Sequence, residues 1–379
     1  MLISAYVSWA GTAKACERAD AARAFAQAYV DCQLSPDERQ AVLAVMVCQL
    51  DDPSPKVRQA LADVMASARQ APRSILFALA EDQPDIAARI LLLSPALTDD
   101  DLVELAGCCD SYRRALIAAR PGLTVPVSAA LGEIGDMTEI LVLLENQHAQ
   151  IAPFSLTRMA ERLGEEQSVR GALLARQDLP AQARHLLVRH VAEAFSASSL
   201  LRLSLGEAKS RKVCEELGWQ AAAVIAGQVD YSEMPALVDD MRRAGQLTPA
   251  FLMRLLCRGQ ADIFAVALEM LSGLEERRVR SILASGRHHA VKALMQAAGL
   301  EHGIAPLFAE AVMLWRDAVR AVPEVAFGEI CEGLLARGER LASTPDALAL
   351  LTLVETMRRE DERRGLRLRA HDFLLETAA

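Results

Sequence analysis

Apolar positions recur along this chain at helical spacing. Between residues 38 and 50 they fall at Val42, Leu43, Met46, Val47 and Leu50, the stripe that one face of an amphipathic α-helix presents. The residues in front of the stripe read as a helix start. Ser35 can cap, Pro36 suits the first helical position, and Glu38 stands three residues after Ser35, as a capping box requires. An acidic, proline-bearing start of another kind follows at Leu50-Asp51-Asp52-Pro53-Ser54-Pro55-Lys56-Val57-Arg58. It lies over Leu79-Ala80-Glu81-Asp82-Gln83-Pro84-Asp85-Ile86-Ala87, with Pro55 matching Pro84 and Val57 matching Ile86. A further phrase, Leu91-Leu92-Leu93-Ser94-Pro95-Ala96-Leu97-Thr98, returns around Arg120, Asn146 and Arg176. The anchors 94, 120, 146 and 176 are 26, 26 and 30 residues apart. A recurrence of this length marks stacked supersecondary units, here a pair of short helices per unit.

The pattern divides the chain into an N-terminal helical cap (1–33), a repeat array (34–200), a helical transition (201–246) and a C-terminal helical subdomain (247–379). The transition is less regular and carries Gly206, Gly218, Gly227 and Gly245. The subdomain starts at Leu247-Thr248-Pro249 and predicts helices over 251–258, 261–271, 275–284, 290–298 and 304–319. Residues 347–375 read as one long helix whose middle, 358–364, mixes charges of both signs, which favours pairing within the helix.

Composition agrees with helices. Of 379 residues, 52% are hydrophobic and only 4% aromatic, which suits close-packed helices better than β-sandwiches. The net charge of −9 argues against general nucleic-acid or anionic-membrane binding. The eight cysteines form no CxxC pair and read as small hydrophobes in a reducing compartment. No secretion signal or run of about 18 uncharged apolar residues is present. A cytoplasmic protein is the expectation.

Asp52-Pro53-Ser54-Pro55-Lys56-Val57-Arg58-Gln59-Ala60-Leu61 resembles the Asp…Val-Arg…Ala-Leu signature of HEAT-type repeats, in a shorter unit. Four phrases in order, around Ser94, Arg120, Asn146 and Arg176, are similar to a bacterial family catalogued as domain of unknown function 2336. So are 247–259 and 291–300. The resemblance extends over roughly residues 34–320. It implies an all-α fold, an α-solenoid of short HEAT-like helix pairs with a C-terminal helical subdomain, and carries over no reaction and no catalytic residue.

The chemistry searched for is sparse. None of the five lysines follows a glycine, so no phosphate-binding GK[ST] loop exists. SxxK, GxSxG, GxGxxG and HExxH are also missing. His185 and His190, five apart, do not share a helix face. His288-His289 reads as polar residues at a turn after Gly286-Arg287. Arg277, Arg278, Arg280, Arg287 and Lys292 form a basic cluster without aromatic neighbours for stacking, and read as a solvated helix face. Vicinal Cys108-Cys109 lacks an adjacent cation to stabilise a thiolate. Two features remain as interaction candidates. Arg120, Asn146 and Arg176 share one repeat position and could grip a partner's carboxylates, or cap helix C-termini. Asp99 and Asp100, with Asp101, follow Thr98 and complement the positive end of a helix.

The function these readings imply is a non-enzymatic protein-interaction scaffold or regulatory adaptor. It would bind a protein partner on the concave face of the array, with no cofactor or metal. Self-association into a homo-oligomer is compatible with it. A small-ligand sensor with a pocket near 200–250, where the two helical blocks meet, is the alternative. A nucleic-acid binder would need a basic groove despite the acidic total.

Overall fold

The computed structural model describes residues 2–321, 327–338 and 340–378. Among them every regular element is an α-helix, 23 in all, with no strand. The chain divides into two compact units, 1–183 and 184–379.

The first unit contains α1 (Leu2–Ala10), α2 (Ala15–Asp31), α3 (Pro36–Leu50), α4 (Pro55–Met65), α5 (Arg73–Ala80) and α6 (Pro84–Leu93). It continues with α7 (Asp99–Cys108), α8 (Ser111–Ala118), α9 (Val125–Ile134), α10 (Met137–Glu145), α11 (Pro153–Leu163) and α12 (Gln167–Leu174). Even-numbered helices pack on one another in order from α2 to α12. Odd-numbered helices do the same from α1 to α5 and from α7 to α11. Sequence neighbours such as α5 and α6, or α7 and α8, pack across the two rows. Aliphatic side chains from both rows fill the space between them, among them Leu61, Leu79, Ile90, Leu105, Leu131 and Leu143.

The helix starts follow local chemistry. Ser35 accepts from Glu38 N while the Glu38 carboxylate accepts from Ser35 N at 2.9 Å, and Pro36 opens α3. Thr98 and Asp101 make the same reciprocal pair at α7. The buried face of α3 differs from the expected one. Val42, Val45, Met46 and Gln49 are buried, and Val47 is exposed. The inward face is therefore rotated so that Gln49 lies beside Tyr6 of α1, an influence from a helix more than forty residues earlier that local periodicity does not register.

The second unit begins at Arg184, in the first turn of α13 (Ala181–Ala197). It holds α14 (Ser199–Leu205), α15 (Glu207–Ala226), α16 (Met234–Arg243), α17 (Pro249–Cys257), α18 (Ala261–Ser272) and α19 (Glu276–Ser285). Then come α20 (His288–Ala297), α21 (Ala305–Ala321), α22 (Phe327–Gly338) and α23 (Pro345–Ala378). Seven of the nine residues of α17, six of them apolar, and six consecutive residues of α18 (263–268) are buried. Helices apolar on all sides belong in a core, and α16, α20, α21 and α23 pack around this pair. Phe264 and Phe308 stack with ring centroids 6.5 Å apart. Gly206, at φ +78°, supplies the left-handed residue between α14 and α15. In α23, Arg358 pairs with Glu355 and Glu362, and Arg359 with Glu355, as the mixed charges predict; the side chains beyond 367 lie outside the described ones. His288 and His289 open α20 rather than occupying a turn.

Candidate functional site

The repeating polar residues come together as internal rungs. Arg18 of α2 holds Asp52, ahead of α4, through Nε at 2.7 Å and Nη2 at 3.0 Å. Arg58 of α4 holds Asp82, ahead of α6, at 2.6 and 2.9 Å. Arg113 of α8 donates to the backbone carbonyls of Glu81 and Asp82. Each rung therefore links the start of one even-numbered helix to the start of the next. On the odd-numbered row, Arg73 bridges Asp101 and Glu104 of α7.

A second set of rungs lies at the other end of the even helices. Arg120 donates to Leu91 O at 2.9 Å and to Ser94 O, and Asn146 donates to Ala118 O at 2.8 Å and Arg120 O at 2.9 Å. These side chains thus serve the carbonyls of the preceding repeat's helix, whereas local capping would join each to its own helix. Such carbonyls have no partner within their helix. Arg162 does the same for Gly132 O and Gly135 O. Arg176 instead pairs with Asp178 at 2.8 and 2.7 Å, so the three aligned residues do not form one continuous ladder. Burial lowers the Arg120 guanidinium pKa from its ordinary value, and the nearby Asp99 carboxylate acts against this. Asp99 is half-buried, Asp100 exposed.

Burial raises the carboxyl pKa of Asp82 and Asp101, but arginine and backbone N–H partners outweigh it and leave both below the ordinary value. Asp52 is lowered chiefly by Arg18, against a desolvation contribution. Groups with depressed folded pKa values bind protons more readily in the unfolded chain, so their stabilisation is present at neutral pH and lost on acidification. Melting temperature should accordingly hold level above about pH 5 and decline below it as these carboxylates protonate. Thermal melts of wild type and Asp52→Asn should draw together as pH falls below about 4; curves that stay parallel would refute the assignment.

The second unit holds the other polar constellations. His185 is buried on α13, with Nδ1 2.7 Å from Asp240 and Nε2 2.6 Å from Gln246 Oε1. Arg254, 2% exposed, donates Nη2 to both Glu216 oxygens, with its guanidinium 5.7 Å from the Trp219 ring centre. Within the basic cluster, Arg280 contacts Asp262 and Glu276 at 2.8 Å each and lies over Tyr231. Burial raises the Cys109 thiol pKa, opposed by Arg113, which disfavours the thiolate. Among the described residues no three His, Cys, Asp or Glu side chains converge on a metal-sized space, and no helix is long and apolar enough to cross a membrane.

A cavity of about 480 Å³ opens among α15, α17, the α20–α21 connection and α23, with Trp219, Leu300 and Leu350 in its wall. Exposed apolar side chains gather along α13–α15: Phe195 at 57%, Leu200 at 76%, Leu203 at 84% and Leu217 at 57% exposure.

The geometry defines an all-helical protein whose first unit is two rows of stacked short helices tied by arginine rungs. The chain belongs to the family described as uncharacterised protein conserved in bacteria (DUF2336), whose model matches residues 86–367. No curated protein and no solved structure matches it.

Proposed function

We propose that this chain is a non-enzymatic protein-interaction scaffold, built on an α-solenoid of HEAT-like repeats, that docks a partner through α13–α15. The carrying observation is the apolar surface on these helices. The seven-residue α14 has no buried residue, and Leu200 and Leu203 project from it. A helix this short is marginal on its own in water, and docking would stabilise it. Exposed apolar surface of a few hundred Å² commonly marks an interaction site. The repeat-position donors Arg120 and Asn146 are already engaged with carbonyls inside the array, which supports recognition by residues that do not repeat.

Charge selects the kind of partner. Residues 199–213 carry Arg202, Lys209, Arg211 and Lys212 against Glu207 alone, in a chain of net charge −9. An apolar ridge with a basic rim suits an acidic amphipathic helix of another protein. The acidic total disfavours an anionic membrane as the target. Leu203→Asp should weaken a purified, saturable partner about 100-fold, the range of an interface hot spot, with the helical circular-dichroism signal unchanged. Unaltered affinity would move docking elsewhere. Wild-type binding to phosphatidylserine vesicles, abolished by the same substitution, would replace the protein partner with a membrane.

A further inference from the structure

The cavity of about 480 Å³ in the second unit is within the size range of small-molecule sites. Its wall is largely apolar, with Ile304, Leu300 and Leu350 buried behind it. Two carboxylates, Glu301 and Asp346, also line it. Both residues are exposed, and neither carboxylate has a hydrogen bond or ion pair among the described residues. Among the described residues, no lysine or arginine lines the cavity.

Asp346 stands in the first turn of α23, whose positive end balances part of its charge, while Glu301 lies ahead of α21. At α17, Thr248 Oγ1 accepts from Phe251 N at 3.2 Å. At α23, Thr344 Oγ1 accepts from Ala347 N at 3.3 Å. At α21, Ile304 N and Ala305 N donate to Glu301 O. These first-turn amides, which would otherwise attract an anion, therefore have partners. Trp219 adds an aromatic wall, the side chain best suited to a cation. Arg254 also lies near this ring, but its charge is matched by Glu216.

We infer that this cavity binds a ligand with a cationic head, an ammonium or guanidinium, on an apolar body, with Glu301 and Asp346 meeting the charge and Trp219 the body. The inference stands apart from docking on α13–α15. Its chemistry could be supplied by a free organic amine or by a lysine or arginine side chain in an apolar peptide. The rim is held by close packing. A Cβ at Gly303 would lie 2.6 Å from Thr344 Cγ2, so the connection bearing Glu301 sits directly against the start of α23.

Titration calorimetry on the full chain, with three small probes, tests it. Phenethylammonium should bind at least about tenfold more tightly than phenethyl alcohol, and phenylpropanoate should bind least. Glu301→Gln and Asp346→Asn should each weaken the amine about tenfold, the size of one added charge interaction. Both positions are exposed, so the fold should persist, checked by an unchanged melting temperature. Trp315→Phe, at a separate cavity, should leave affinity unaltered. Acetyl-Leu-Lys-Leu-amide, compared with its Nε-acetylated form, distinguishes the sources. Tighter binding than the free amine, lost on acetylation, assigns a polypeptide, and the reverse order a small molecule. Equal affinity for amine and alcohol, no amine binding at millimolar concentration, or indifference to the Glu301→Gln/Asp346→Asn double variant would overturn the assignment.

Discussion

Asp82→Ala is expected to destabilise the first unit by about 3–5 kcal/mol, the cost of removing one partner from a buried ion pair. Asp82 and Arg58 are 11% and 13% exposed, and their two contacts are 2.6 and 2.9 Å long. The substitution leaves the Arg58 guanidinium in a site largely closed to water, with Asp52 O at 2.7 Å as its remaining named acceptor. It also takes the side-chain acceptor from Gln83 N, the residue immediately ahead of α6. Whole-domain stabilities are commonly about 5–15 kcal/mol, so the loss would be a large fraction of the total.

The cause of that loss can be separated from the pair itself. If an unpaired charge is what hurts, Arg58→Met/Asp82→Leu should recover most of the stability, since buried ion pairs replaced by apolar residues are often neutral. Urea unfolding followed by circular dichroism gives the magnitude. Hydrogen exchange should localise the loosening to α4–α6, because repeats depend mainly on their nearest neighbours. A single variant within about 1 kcal/mol of wild type, typical of an exposed ion pair, would show that the rung adds little to the stack.

These rungs also mark where sequence pattern and fold part company. Ser35 with Glu38, and Thr98 with Asp101, were legible because a cap and its partner are three residues apart. The second unit's helices were legible for the same reason, since helical periodicity is local. Arg120 and Asn146 stand out by recurrence alone, but recurrence does not disclose their targets, which lie 26–29 residues back. Arg162 serves the same kind of carbonyl from outside the aligned position, so the repeat gave no signal for it. His185 is harder still, because Asp240 and Gln246 are 55 and 61 residues away. The cavity of the second unit brings Trp219, Glu301 and Asp346 together from separate helices and connections. Their convergence leaves no mark in the local pattern, because each belongs to a different helix or connection.

Arg316→Ala is the substitution with the largest expected effect in the second unit. Arg316 is 7% exposed on α21, and its guanidinium reaches three carbonyls at the end of α19. Nη2 donates to Ile282 O at 2.5 Å, Nη1 to Gly286 O at 2.6 Å, and Nε to Leu283 O. Late helical carbonyls lack partners within the helix and carry partial negative charge, which a cation balances. Truncation would strand Leu283 O and Gly286 O, leave Ile282 O with Gly286 N, and remove a packed aliphatic stem, for a loss of about 4 kcal/mol in all. Arg316→Lys keeps the charge but not the planar fork. One ammonium cannot reproduce donors spread over Ile282, Leu283 and Gly286, so only part of the stability, about half, should return. Urea unfolding measures both variants, and hydrogen exchange should show the last turn of α19 opening before the α17–α18 core. Full rescue by lysine would mean that charge alone holds α19 in place, and the fork geometry would then have no role.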